Sequence, residues 1–287
     1  MKKFIIFTIL LLFLNNDLHS RIYADNIEIF KKSKIYELAL AVEDNDYEKV
    51  QSILNKDSSL VNETDSYYGT TLLHWVIYDR EYKMAELLLK NGANPHFHAH
   101  DGGTPLQLLL GYEKYPAIFY FFYCHGLIDY LKLFIIYGAD VNHNDLNSTY
   151  KYKGVDGKDY YLEPYKASAY NYPIFKYLVE QGMKYDAPDV LFGPCLKANI
   201  ELIHYLIIDK KVKIPHPISI NSVGDTLTFL YYMRLMIFSL SSDEYKLKME
   251  VVNYIKKEYN LDYWKEPIPS NAKFLLKGKS KEYLEKY

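Results

Sequence analysis

Three histidines alternate along the chain, His96, His98 and His100, with Asp101 beside them. In an extended segment, residues two apart share a face, so all three imidazoles would point the same way. Three imidazoles can hold zinc or copper. The competing reading is a polar loop tip without a metal, because ligating imidazoles need further residues to hold them in place. Other candidate motifs fail on inspection. Asp140-Val141-Asn142-His143-Asn144 begins like a calcium loop, but its sixth position is Asp145 instead of Gly and its twelfth is Lys151 instead of Glu. Gly154-Val155-Asp156-Gly157-Lys158 has neither the full spacing nor the Ser/Thr of a phosphate loop. No G-x-G-x-x-G, H-E-x-x-H or C-x-x-C occurs. These residues supply no catalytic set and no cofactor site, and the expectation is a protein that is not an enzyme.

The chain that must position them has 287 residues and a formal net charge of −2. It is 49% hydrophobic and 24% charged, a globular composition. The charge balance gives no reason to expect a nucleic-acid partner. Two cysteines, Cys124 and Cys195, cannot make a disulfide framework, and two buried thiols are expected. Tyrosine is abundant, with 31 residues. Its side chain joins a large contact area to a hydrogen-bonding tip at little entropic cost, although an AT-rich coding composition would also enrich it.

Organisation comes from a repeat. Gly69-Thr70-Thr71-Leu72-Leu73-His74 returns 33 residues later as Gly102-Gly103-Thr104-Pro105-Leu106-Gln107. Each copy leads to an apolar helix that stops at Gly92-Ala93-Asn94 or at Gly138-Ala139-Asp140-Val141-Asn142. Thr71 and Thr104 stand where a hydroxyl can cap a helix. Pro105 suits a first helical turn, and Gly92 and Gly138 suit a helix end with positive φ. Gly92 and Gly138 are 46 apart, so about 13 extra residues enter the third copy. About 11 more enter the following loop, His143 to Tyr161.

This pattern resembles the ankyrin repeat. The resemblance implies an all-α solenoid of five or six helix-turn-helix repeats with two insertions, near residues 34–62, 67–97, 101–142, 160–186, 188–215 and 222–262. It implies structural roles for Gly69, Thr71, His74, Gly92, Gly102, Thr104, Pro105 and Gly138. It also implies a protein partner, met by finger loops and inner-helix positions. Those positions fall on Tyr67, Tyr68, Thr70, Tyr78, Asp79, His100, Asp101, Tyr112 and Tyr170. The expected activity is therefore non-catalytic protein binding by a monomer. The alternatives are metal binding through the His96 finger, or a secreted effector with an unrecognised activity.

The ends read differently. Lys2 and Lys3 precede an apolar run, Phe4 to Leu14, and then Asn15-Asn16-Asp17. That is the plan of a secretory signal peptide, with cleavage expected after Ala24 and an uncleaved anchor as the alternative. Cleavage would leave a charge of −4 on residues 25–287. The expected location is periplasmic or extracellular. A second apolar stretch, Ala117 to Ile136, contains Asp129, Lys132 and His125-Gly126 and reads as two packed helices, not a membrane span. Residues 263–287 read as a Lys-rich tail ending in a solvated helix. Sequons occur at Asn62 and Asn147.

Overall fold

The computed structural model describes residues 27–79, 81–100, 104–106, 120–142, 151–153, 159–161, 171–185, 189–220 and 224–287. The expected signal peptide lies outside them. The chain divides into two compact units, 1–150 and 151–287.

The first unit is built from antiparallel helix pairs. A 3-10 turn, Ile27–Phe30, leads to α1 (Tyr36–Glu43) and α2 (Tyr47–Lys56). Next come α3 (Leu72–Asp79) and α4 (Tyr82–Lys90). Thr104 precedes a helical start at Pro105 and Leu106, and α5 (Tyr120–Ile136) follows. Within a pair α1 packs on α2 and α3 on α4; between pairs α1 meets α3, α2 meets α4 and α4 meets α5. Leu38, Val42, Leu54, Leu72, Val76, Met84, Leu88, Leu131 and Phe134 are buried, so the apolar face of each pair is covered by its neighbour.

Helix ends recur because their residues recur. Gly92, Gly138 and Gly182 have φ of +90°, +88° and +90°. At each, the glycine N–H bonds three residues back and the next N–H five residues back: Gly92 to Leu89 and Ala93 to Leu88, Gly138 to Ile135 and Ala139 to Phe134, Gly182 to Val179 and Met183 to Leu178. Two carbonyls left open by the helix end are thereby satisfied.

The insertion in the third repeat is partly helical. α5 begins 18 residues before Gly138, whereas α4 begins ten before Gly92. Ala117 to Ile136 does not hold two packed helices: from Tyr120 onward it is one 17-residue helix running through His125-Gly126. Among the described residues, no helix is long and apolar enough to cross a membrane.

The second unit opens with an antiparallel hairpin, β1 (Lys151–Lys153) with β2 (Asp159–Tyr161), inside what the sequence presents as a finger-loop insertion. α6 (Tyr172–Glu180) is capped by Asn171, which accepts the Ile174 N–H at 3.2 Å. Two short helices follow, α7 (Phe192–Leu196) and α8 (Ile200–His204), the latter passing into a π-helical turn, Tyr205–Asp209. A second hairpin pairs β3 (Ser219–Ile220) with β4 (Thr226–Leu227). α9 (Phe229–Leu235) and α10 (Asp243–Tyr259) follow, α9 meeting α7 and α10 packing on α8. The repeat expected over 222–262 therefore opens, at Gly224-Asp225-Thr226-Leu227, on a bend and a strand and not on a helix. The cap of α9 is Thr228, whose hydroxyl accepts the Tyr231 N–H at 2.9 Å.

The tail is folded, which corrects the reading of 263–287 as a solvated end. A 3-10 turn, Tyr263–Lys265, precedes α11 (Ser270–Leu276) and α12 (Lys281–Lys286). Tyr263, Leu276, Tyr283 and Tyr287 are buried, the last three packing with Ile237, Leu240 and Ile268. Two buried cations meet this aromatic layer. Arg234 donates to the Glu266 carbonyl and to the main-chain oxygen of Tyr287 at 3.1 and 2.8 Å, and its guanidinium lies 4.3 Å from the Tyr263 ring centre. Lys248, 1% exposed, donates to the Met236 carbonyl at 2.9 Å, with its ammonium 4.3 Å from the Tyr287 ring centre. Lys273, Lys277, Lys279 and Lys281 do face solvent.

Candidate functional site

The finger between the first two helix pairs is built around a buried carboxylate. Asp65 is 1% exposed and accepts four hydrogen bonds. Oδ1 takes the N–H groups of Tyr67 and Tyr68 at 2.8 and 2.6 Å; Oδ2 takes the Thr70 N–H and hydroxyl at 2.7 and 2.6 Å. The backbone therefore curls around one side chain, as Asp does when it competes with regular structure for nearby N–H groups. A single bridge, Thr64 with Thr71, closes the base of the finger.

Gly69 is at the bend, with φ +65°. A Cβ there would lie 2.5 Å from His100 Cδ2, so the imidazole of the next finger fills the space that glycine leaves. His100 is itself fixed: its N–H donates to the Tyr68 carbonyl at 2.7 Å, and Nδ1 lies 2.8 Å from the Tyr67 carbonyl. Consecutive fingers are thus joined through backbone and imidazole. The next junction uses His96, whose Nε2 accepts the Asp140 N–H at 2.7 Å. Asn62 does the same for the loop ends, donating to the Gly92 carbonyl at 2.9 Å and accepting the Asn94 N–H at 2.7 Å. A glycan on the Asn62 nitrogen would disturb that bridge.

At the helix start, Thr71 Oγ1 lies 2.8 Å from His74 Nδ1 and accepts the His74 N–H at 3.4 Å, while Nδ1 accepts the Thr71 N–H at 3.1 Å. His74 is 2% exposed. It ties the cap to the first turn and offers no accessible ring for chemistry. Gly92, Thr104, Pro105 and Gly138 take their places at helix ends or starts as described above; Gly102 lies outside the described residues.

What this frame leaves in solvent is Tyr67, 74% exposed, with Tyr68 half-buried beneath it and the two rings edge-to-face at 4.4 Å. Thr70 is turned inward onto Asp65. Tyr78 and Asp79 end α3, and their side chains are not described; Asp101, Tyr112 and Tyr170 lie outside the described residues. The three alternating histidines do not converge. His96 and His100 serve different junctions, and no group of three His, Cys, Asp or Glu among the described residues is arranged to hold a metal. Asp65 carries no motif signal. The available hint was an Asp followed, two and five residues on, by donors with a glycine between them.

Comparison with known proteins agrees with this geometry. The ankyrin repeat profile matches residues 68–99, the second finger and helix pair. No curated protein sequence matches the chain. Among solved structures, an ankyrin repeat domain from Acinetobacter baumannii aligns with a TM-score of 0.51 at 16% identity, covering 76% of this chain and 97% of its own. The human ASB11 ankyrin repeat domain aligns at 0.47 and 15% identity, covering 85% of this chain and 98% of its own. Residues 68–99 are therefore an ankyrin repeat, and the chain has the fold of an ankyrin repeat domain.

Proposed function

We propose that this protein is a monomeric, non-catalytic binding module that acts outside the cytoplasm. Its partner would be a protein, gripped through the finger loops and the tyrosines beside them. The observation that carries the reading is Tyr67: a large aromatic side chain left in solvent on a finger whose backbone is immobilised by Asp65 and His100. A contact residue on a rigid support loses little conformational entropy on binding, and tyrosine combines area with a polar tip. Export rests on the charged, apolar and polar order of residues 1–24.

The test is affinity capture from the envelope and the secreted material of the source cells, comparing the natural protein with Y67A and D65A. Y67A should lose the partner at unchanged thermal stability. D65A should lose it together with several degrees of melting temperature, since each buried donor left unpaired costs about 1–3 kcal/mol. Retention of every partner by Y67A would defeat the finger reading. N-terminal sequencing of the exported chain should begin at Asp25; a chain starting at Met1 would point to the anchor alternative.

A further inference from the structure

The most exposed large apolar side chain among the described residues is Phe274, at 77%, and its neighbour Leu275 is 59% exposed. Both sit on α11. At about 100° per residue, buried Ala272 and Leu276 centre the inward face and Phe274 stands about 180° from it. A surface helix ordinarily puts a polar group at that pole. Here the inner face is already satisfied by the tail core, and the outward Phe274 is left in solvent.

The chain around it is net positive. Lys273, Lys277, Lys279 and Lys281 all face solvent within nine residues. Residues 263–287 hold six Lys and three Glu, in a chain whose total charge is −2. Of the glutamates, Glu285 pairs with Lys281 at 3.7 Å, Glu282 follows Lys281 in the chain and Glu266 is half-buried. Lys279 is held beside the tail core, its ammonium 4.9 Å from the Tyr283 ring centre. We propose that this tip is a docking site for an anionic lipid surface, with Phe274 and Leu275 entering the headgroup boundary and the four lysines meeting acidic headgroups. Along α11 and its C-cap, Lys273 and Lys277 flank Phe274 on one side and Leu275 flanks it on the other, and an exposed aromatic and aliphatic pair beside lysines combines apolar burial with attraction to anionic lipid. Charge also decides against a second copy as occupant, because tip-to-tip contact would bring eight lysines together.

The test is co-sedimentation of the full chain with vesicles of phosphatidylcholine alone, and of phosphatidylcholine with phosphatidylglycerol, at two salt concentrations. F274S/L275S and K273Q/K277Q/K279Q/K281Q are the variants. All six positions are exposed, and circular dichroism should show both variants folded. The N-terminal apolar run is common to all three proteins, so differences between them report the tip. The natural chain should bind anionic vesicles, less well as salt rises. Each variant should bind about tenfold or more weaker. Equal sedimentation of natural chain and variants, or none with anionic vesicles, would overturn the proposal. So would dimerisation without vesicles that F274S/L275S abolishes, which would give the tip to a second copy.

Discussion

At the scale of single residues, Gly69 and His100 behave as one unit across two fingers. Any side chain at Gly69 is strained at φ +65° and also enters the volume of the His100 ring. G69A should cost about 2–3 kcal/mol in urea unfolding, combining left-handed strain with displacement of the imidazole. H100A alone loses one contact to the Tyr67 carbonyl. The double variant should be more stable than the two losses added, with a coupling of about 1 kcal/mol, because removing the ring makes room for the methyl. Strict additivity would mean that the ring shifts freely and does not lock the finger. Much of this was legible in sequence. Gly69, Thr71, His74 and Gly92 act through local backbone demands that their own types reveal. Asp65 was not legible, because a carboxylate that gathers N–H groups from the following five residues looks like any loop aspartate until the chain curls around it. His100 was visible only as one of three alternating histidines, a spacing that suggested a shared face where the structure uses separate junctions.

At the scale of elements, the least legible part was the last one. Four exposed lysines masked buried aromatics, although Tyr283 and Tyr287 are four residues apart and share a helix face. Thr226-Leu227 imitates a repeat start but is a strand, its backbone paired with Ser219-Ile220. The element that closes over α9 and α10 brings Lys248 and Arg234 into an aromatic layer, and that has a pH signature. Burial, reinforced by Arg234, holds the Lys248 amine down at about 7 from its ordinary 10.5. Charged groups around it are Arg234 from α9, with the Tyr263 and Tyr287 rings from the tail; burial raises the Tyr263 phenol to about 12 and the Tyr287 phenol further. Between pH 7 and 10.5 the unfolded chain binds a proton that the folded lysine does not, so stability rises with pH across that window, by on the order of 5 kcal/mol. Above the ordinary tyrosine value of 10 the unfolded phenols ionise first, and stability falls. The maximum should lie near pH 10. Trp264 fluorescence during urea unfolding, in a W75F background, follows this element. K248M should raise stability at pH 7 and remove the rising limb; an unchanged limb would show that Lys248 reaches water.

At the scale of the whole molecule, stability must come from stacked faces, because Cys195 forms no disulfide. Cys195 is a free thiol, 3% exposed, and burial pushes its ionisation far up. A thiol so placed is a poor nucleophile and exchanges slowly with disulfides. Within one chain only Cys124 could pair with it. The same unit-on-unit logic explains why the repeats tolerated a lengthened α5 and an inserted β-hairpin: each pair needs only its neighbours, so growth at one junction leaves the next intact. Protein prepared under oxidising conditions should therefore titrate two thiols per chain in denaturant. Its melting temperature should not change when a reductant is added. Loss of both thiols, together with a lower melting temperature in reductant, would show that a covalent link replaces packing between repeats.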